Sequence, residues 1–123
     1  MSDHQDRMKE KVARGLSSTY VQLVAVCAAL PLPIALPMDA TVSTVEVAPA
    51  VRRAVELVSE QPLSGEQQAE MAMALTMWLA ALDLHRVNVA EYEETRTIAT
   101  LAILVSAVGA IHDVITWQQG GGS

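Results

Sequence analysis

Apolar positions in the first part of the chain fall on a helical period. Met8, Val12, Leu16, Tyr20, Leu23 and Cys27 step by four or three, the spacing of one face of a helix. This predicts a first helix from about Asp3 to Ala29. Gly15 and the run Ser17-Ser18-Thr19 weaken helix formation, so a kink or break is expected there. Pro31, Pro33 and Pro37 then forbid a helix and predict an extended segment close to polyproline II. Its Leu32, Ile34 and Leu36 should lie across the domain's own helices or a partner. Thr41 to Val47 alternates weakly, but no second strand signal exists to pair with it, and it reads as an extended loop. Pro49 suits the first turn of a second helix, where its missing amide is harmless. That helix should run to about Gln61, with Val51, Ala54, Val55 and Val58 inward and Arg52, Arg53, Glu56 and Glu60 outward.

The second half is far less polar. Pro62-Leu63-Ser64-Gly65 marks a boundary, and Ser64 followed by Gln67 forms a capping-box pattern, so a third helix starts here and should reach about Arg86. Its middle, Met71 to Leu82, is apolar on every side, which predicts a helix surrounded by others. Trp78 is its one large aromatic anchor. Val87 to Val89 reads as a short connection, with Asn88 capping a fourth helix from about Val89 to Trp117. Glu91, Glu93 and Glu94 then fall in its first turns, where negative charge suits the helix dipole. A connection this short makes the two helices antiparallel neighbours.

Thr97 to Ile111 gives fifteen uncharged residues, too apolar for a surface helix and short for a membrane span. Within it Ala99, Ala102, Ser106 and Gly109 share one face by 3-4-3 spacing. Ala69, Ala72, Thr76 and Ala80, continued by Asp83, make a similar row on the third helix. If these small faces meet, the two backbones approach closely. The predicted fold is all-α: roughly a four-helix bundle with a central antiparallel hairpin and an extended Pro-rich connector. Residues 1–119 form one domain, and Gly120 to Ser123 reads as an appended flexible linker.

Composition sharpens this picture. Of 123 residues, 51% are hydrophobic but none is Phe, so the core must be aliphatic. Only 18% are charged, little for a small domain that has to cover its own surface, and surplus apolar area points to an oligomer interface or a membrane. A net charge of −6 argues against nucleic acid, which demands a basic patch. The basic cluster Arg7, Lys9, Lys11 and Arg14 is interrupted by Asp6 and Glu10 and reads as a solvated helix face. Cys27 sits in an apolar run and reads as a small core residue; a lone cysteine allows no internal disulfide. Basic residues ahead of the uncharged stretch Gly15 to Met38 resemble a signal peptide or anchor in outline. The long, mixed-charge lead and the three prolines weigh against that.

No residue set speaks to chemistry with comparable force. His112 and Asp113 interrupt the fourth helix, but adjacent helical residues point about 100° apart, and His112 reads as a residue near a helix end. Asp83 and His85 lie near the end of the third helix. His85 and Arg86 are expected to pair with Glu91 or Glu94 across the turn, as surface charges of little weight. The antiparallel hairpin holds His85 far from His112, so a metal between them would require two antiparallel copies. Glu91 and Glu94 lack the Glu-x-x-His partners of a di-iron bundle. Met71, Met73 and Met77 read as core filler. Nucleophile elbows, phosphate loops, zinc-protease motifs and paired cysteines are missing.

The function predicted is therefore non-enzymatic: a cytoplasmic interaction or assembly protein, homo-oligomeric through its small-residue and aliphatic helix faces, with no cofactor, no metal and no catalytic residue assigned. One alternative is a small integral membrane protein with spans near 15–38 and 97–117, since small-residue rows also join membrane helices. Another is a bundle that binds a small apolar molecule or acts on one as an enzyme, in a cavity lined by Met73, Met77, Trp78 and Tyr92, with Asp83, His85 or His112 as its polar group.

Overall fold

A computed structural model describes residues 3–38 and 44–120, apart from the Thr44 side chain. These fold as four helices packed on one another, with no strand among the described residues: α1 (Asp3–Ala28), α2 (Thr44–Val58), α3 (Gly65–Ala90) and α4 (Glu94–Gln119). The all-α bundle read from the sequence is the observed one. Residues 39–43 and 121–123, which carry part of the expected loop and most of the expected linker, lie outside the described residues.

α3 and α4 form the central antiparallel hairpin and are the most extensively packed pair. α1 packs against both. The His4 ring lies 3.2 Å from the Glu94 carboxylate at one end, and Gln118 donates to the Val26 carbonyl at 2.9 Å near the other. α1 thus runs parallel to α4 and antiparallel to α3. α2 packs on α3.

α1 is continuous through Gly15 and the serines, so the expected break is absent. Its buried stripe, Val12, Leu16, Thr19, Leu23, Val26 and Cys27, leaves no reason to break. Gly15 marks a close crossing instead: a methyl group there would stand 3.3 Å from Cδ1 of Leu104 on α4. Trp78 anchors the centre. It is buried, its indole N–H donates to the Leu16 carbonyl at 2.9 Å, and its ring lies 5.3 Å from that of Tyr20.

The proline segment is extended and held by side chains. Gln61 accepts from the Leu32 amide at 3.0 Å and donates to the Leu32 carbonyl at 2.6 Å, pairing with that backbone as a strand would. The Tyr20 hydroxyl donates to the Pro37 carbonyl. Leu30, Ile34 and Leu36 are buried. Leu32, which was expected inside, is 54% exposed, because the Gln61 clamp takes its backbone and leaves its side chain facing out.

The boundaries of α2, α3 and α4 differ from those expected. α2 begins at Thr44, so Thr44 to Val47 is helical and Pro49 sits more than a turn inside; Val47 and Ala48 supply buried apolar area that rewards the earlier start. α2 also stops at Val58. α3 continues past Arg86 to Ala90 and α4 starts only at Glu94, so Glu91 and Glu93 belong to the connection. Asn88 is accordingly buried within α3. Its Oδ1 accepts from the Glu93 amide and its Nδ2 donates to Thr97 Oγ1, both at 2.7 Å. It secures the start of α4 from the neighbouring helix instead of capping it in sequence. The capping box at Ser64 and Gln67 forms as read.

Candidate functional site

Apolar side chains are spread evenly around α4, so its inward face is set by packing and not by amphipathicity. The buried residues are Thr97, Thr100, Leu104, Ala107, Ala110, Ile111 and Val114. Facing them, α3 buries Met71, Ala74, Leu75, Trp78, Ala81 and Leu82. Small residues do lie in this buried layer, but they are Ala74, Ala81, Ala107 and Ala110, not the rows expected. The two threonines are accommodated because their hydroxyls are satisfied locally: Thr100 donates to the Arg96 carbonyl at 2.7 Å, and Thr97 accepts from Asn88.

The expected rows lie on the outside. Ala99, Ala102, Ser106 and Gly109 are all exposed, as are Ala69 and Thr76, while Ala72 and Ala80 are half-buried. These rows therefore do not join α3 to α4. The reason is volume: the buried side needs Leu104, Ile111, Leu75 and Trp78 to fill the space beneath α1, and a row of alanine and glycine would leave it empty. Ile98 (60% exposed) and Val105 (72%) extend the outer face of α4, and Met73 (48%) extends that of α3. The expectation that α3 is surrounded on every side is corrected by Met73 and Thr76. A methyl group on Gly109 would meet no atom within 4 Å, so nothing within the chain requires that glycine. From Thr97 to Ile111 this outer face carries no charge.

Polar candidates do not converge. Asp83, His112 and Asp113 are exposed. His85 is half-buried beside Lys9 of α1, and burial first, then the Lys9 charge, push its pKa below the usual histidine value. Its expected pairing with Glu91 or Glu94 is replaced by these surroundings. Glu94 instead takes hydrogen bonds from the Tyr92 hydroxyl and His4, which hold its carboxyl below the usual range. Among the described residues no group of three or more His, Cys, Asp or Glu is placed to hold a metal ion. Of the basic cluster, Arg14 pairs with Glu10 at 2.9 Å and Lys9 stands 5.9 Å from the Tyr92 ring centre. Cys27 is fully buried, and desolvation pushes its thiol up to about 12.

The expected cavity around Met73, Met77, Trp78 and Tyr92 does not form, since Met73 faces solvent and Trp78 is packed into the core. A cleft of about 570 Å³ opens elsewhere, where α1, the α2–α3 turn and the end of α4 meet. Its lining includes Pro31, Pro62, Leu63 and Trp117, and nothing in the apolar periodicity of the sequence pointed to it. α4 is also long and apolar enough to cross a membrane, with a third of its most apolar stretch buried in the bundle. Compared with known protein families, curated proteins and solved structures, the chain shows no match.

Proposed function

We propose that this chain is a non-enzymatic assembly module that self-associates through the outer face of the α3–α4 hairpin. The observation that carries the reading is the placement of Ala99, Ala102, Ser106 and Gly109. They are exposed and uncharged, they border Ile98 and Val105, and the fold of a single copy makes no use of them. Small side chains let a second helix approach until backbones nearly touch, and the flanking aliphatic groups supply area to bury. At ~25 cal/mol per Å² of apolar surface, an interface of ordinary size (~800 Å² per partner) is ample to hold two copies together.

Light scattering coupled to size-exclusion chromatography tests this on the full chain and on Ala102→Glu. Ala102 is exposed, so the charge leaves the fold of one copy intact. The expected result is a discrete oligomer for the parent chain and a monomer of unchanged helix content for the variant. A monomeric parent chain, or a variant that assembles equally well, refutes the proposal. A second reading follows from the length and apolarity of α4: the same face meets lipid instead of protein, and the chain is then recovered with membranes when cells are lysed without detergent. The soluble assembly belongs in the cytoplasm.

A further inference from the structure

Along the outer side of α4, Glu94, Ile98, Ala102, Val105, Gly109 and His112 lie within about 40° of one line, at ~100° of turn per residue. All six are exposed. Size alternates along this line: Ile98 and Val105 are large, 60% and 72% exposed, and Ala102 and Gly109 follow them as the small positions. Charge divides between its ends, with a carboxylate at Glu94 and an imidazole at His112. The two directions of the line therefore differ, and a partner helix can tell them apart.

Given the self-association proposed above, we infer that the partner is a second copy whose α4 lies antiparallel against this one, the two-fold axis passing between Ala102 and Val105. That axis sets Ile98 against the partner's Gly109 and Val105 against the partner's Ala102. By symmetry each large side chain of the partner meets a small one of this copy, so the seam fills as a protein interior does. A methyl group on Gly109 meets no atom within 4 Å in one copy, and that room is open to the partner's Ile98. The same axis brings His112 level with the partner's Thr95, one position from the partner's Glu94 and on the same edge of the seam. The Glu94 carboxylate takes the Tyr92 hydroxyl and His4 in its own copy and keeps lone pairs for a further donor. Asp113 points about 100° away from His112.

A parallel pair in register does the reverse. It stacks Ile98 on Ile98 and Val105 on Val105, which holds the axes apart and leaves Ala102 and Gly109 facing voids. It also sets Glu94 against Glu94. A parallel pair slipped by one turn matches the sizes, but it is heterologous and grows open-ended instead of closing as a dimer.

Disulfide trapping in the full chain reads the direction, and light scattering reads assembly separately. Ile98→Cys and Gly109→Cys alter exposed positions, and native Cys27 is fully buried and does not compete. In the antiparallel dimer each new cysteine lies ~16 Å along the axis from its own counterpart, too far for a bond that needs Cα atoms within about 7 Å. The expected result is a discrete dimer that cross-links when the two variants are mixed and not when either is alone. Variants that each link to themselves, or a dimer that links in neither setting, overturn the antiparallel pairing and leave self-association standing. A chain that is monomeric by light scattering overturns both. Exchanging the sizes gives a second measure. Gly109→Ile should weaken dimerisation by about tenfold or more, the range for an overpacked site. Adding Ile98→Ala should restore most of it, because the large and small positions have traded places. A double variant no tighter than Gly109→Ile alone, with helix content unchanged, overturns the pairing.

Discussion

Replacing Gly109 separates what α4 needs for its own fold from what its outer face offers a partner. A glycine within an exposed helix is ~0.8–1.0 kcal/mol less favourable than alanine, and the added methyl meets no atom within 4 Å. Gly109→Ala should therefore stabilise a single copy by about 0.8–1.0 kcal/mol, raising Tm by roughly 3–6 °C for a chain of this size. Gly109→Leu should stabilise the dilute protein by a little less, since leucine is nearly as good a helix former. At a close helix crossing, however, leucine would hold the second backbone away. Thermal melts followed by circular dichroism, at a dilute and a concentrated setting with light scattering at each, read both effects. Expected are a higher dilute Tm for both variants and weakened assembly for Gly109→Leu. A dilute Tm that falls for Gly109→Ala would mean that the missing side chain matters inside one copy, and the outward placement of this face would be wrong.

Asn88→Ala removes both bonds that tie the α3 end to the start of α4 and leaves the Thr97 hydroxyl and the Glu93 amide to find new partners. A loss of about 2–3 kcal/mol in urea unfolding is expected, with Asn88→Asp recovering part of it by keeping the acceptor. The buried Cys27 thiol is held up to about 12 from an ordinary value of 9.0. The unfolded chain therefore releases this proton first, and stability should fall as pH rises through that window. Cys27→Ala should flatten that slope, and native Cys27 should resist thiol reagents until the chain unfolds. His85 is shifted the other way, below its ordinary 6.5. The unfolded chain takes up this proton first, so stability should decline as pH drops through 6.5 toward the lower folded value. An acid titration of His85→Gln should show a shallower decline.

How much of the fold was legible depended on contrast between faces. α1 and α2 have polar residues opposite their apolar stripes, and their inward sides, Val12 and Leu16 or Val51 and Ala54, follow from spacing alone. α3 and α4 lack that contrast. The hairpin was readable from the short connection, but which side of α4 packs inward was not, because Ala102 and Ala107 are equivalent as sequence. Packing decides between them, since the space beneath α1 needs leucine, isoleucine and tryptophan. Asn88 was recognisable as a capping residue, yet its true partners depend on α3 running on to Ala90. The cleft at Trp117 is built from three segments distant in sequence, so no local pattern could announce it.

α1 is tied at its two ends to residues of α4 some ninety positions later, at His4–Glu94 and Val26–Gln118. During synthesis it emerges first and its partner helix last. At ~5–20 residues per second, the stripe from Val12 to Cys27 waits roughly five to twenty seconds for α4 to complete its cover. α3 and α4 are neighbours in the chain and can close on each other at once. The order of synthesis therefore leaves the most clearly amphipathic long helix as the last to dock, and makes its apolar stripe the surface through which a nascent chain would be captured by a chaperone or lost to aggregation.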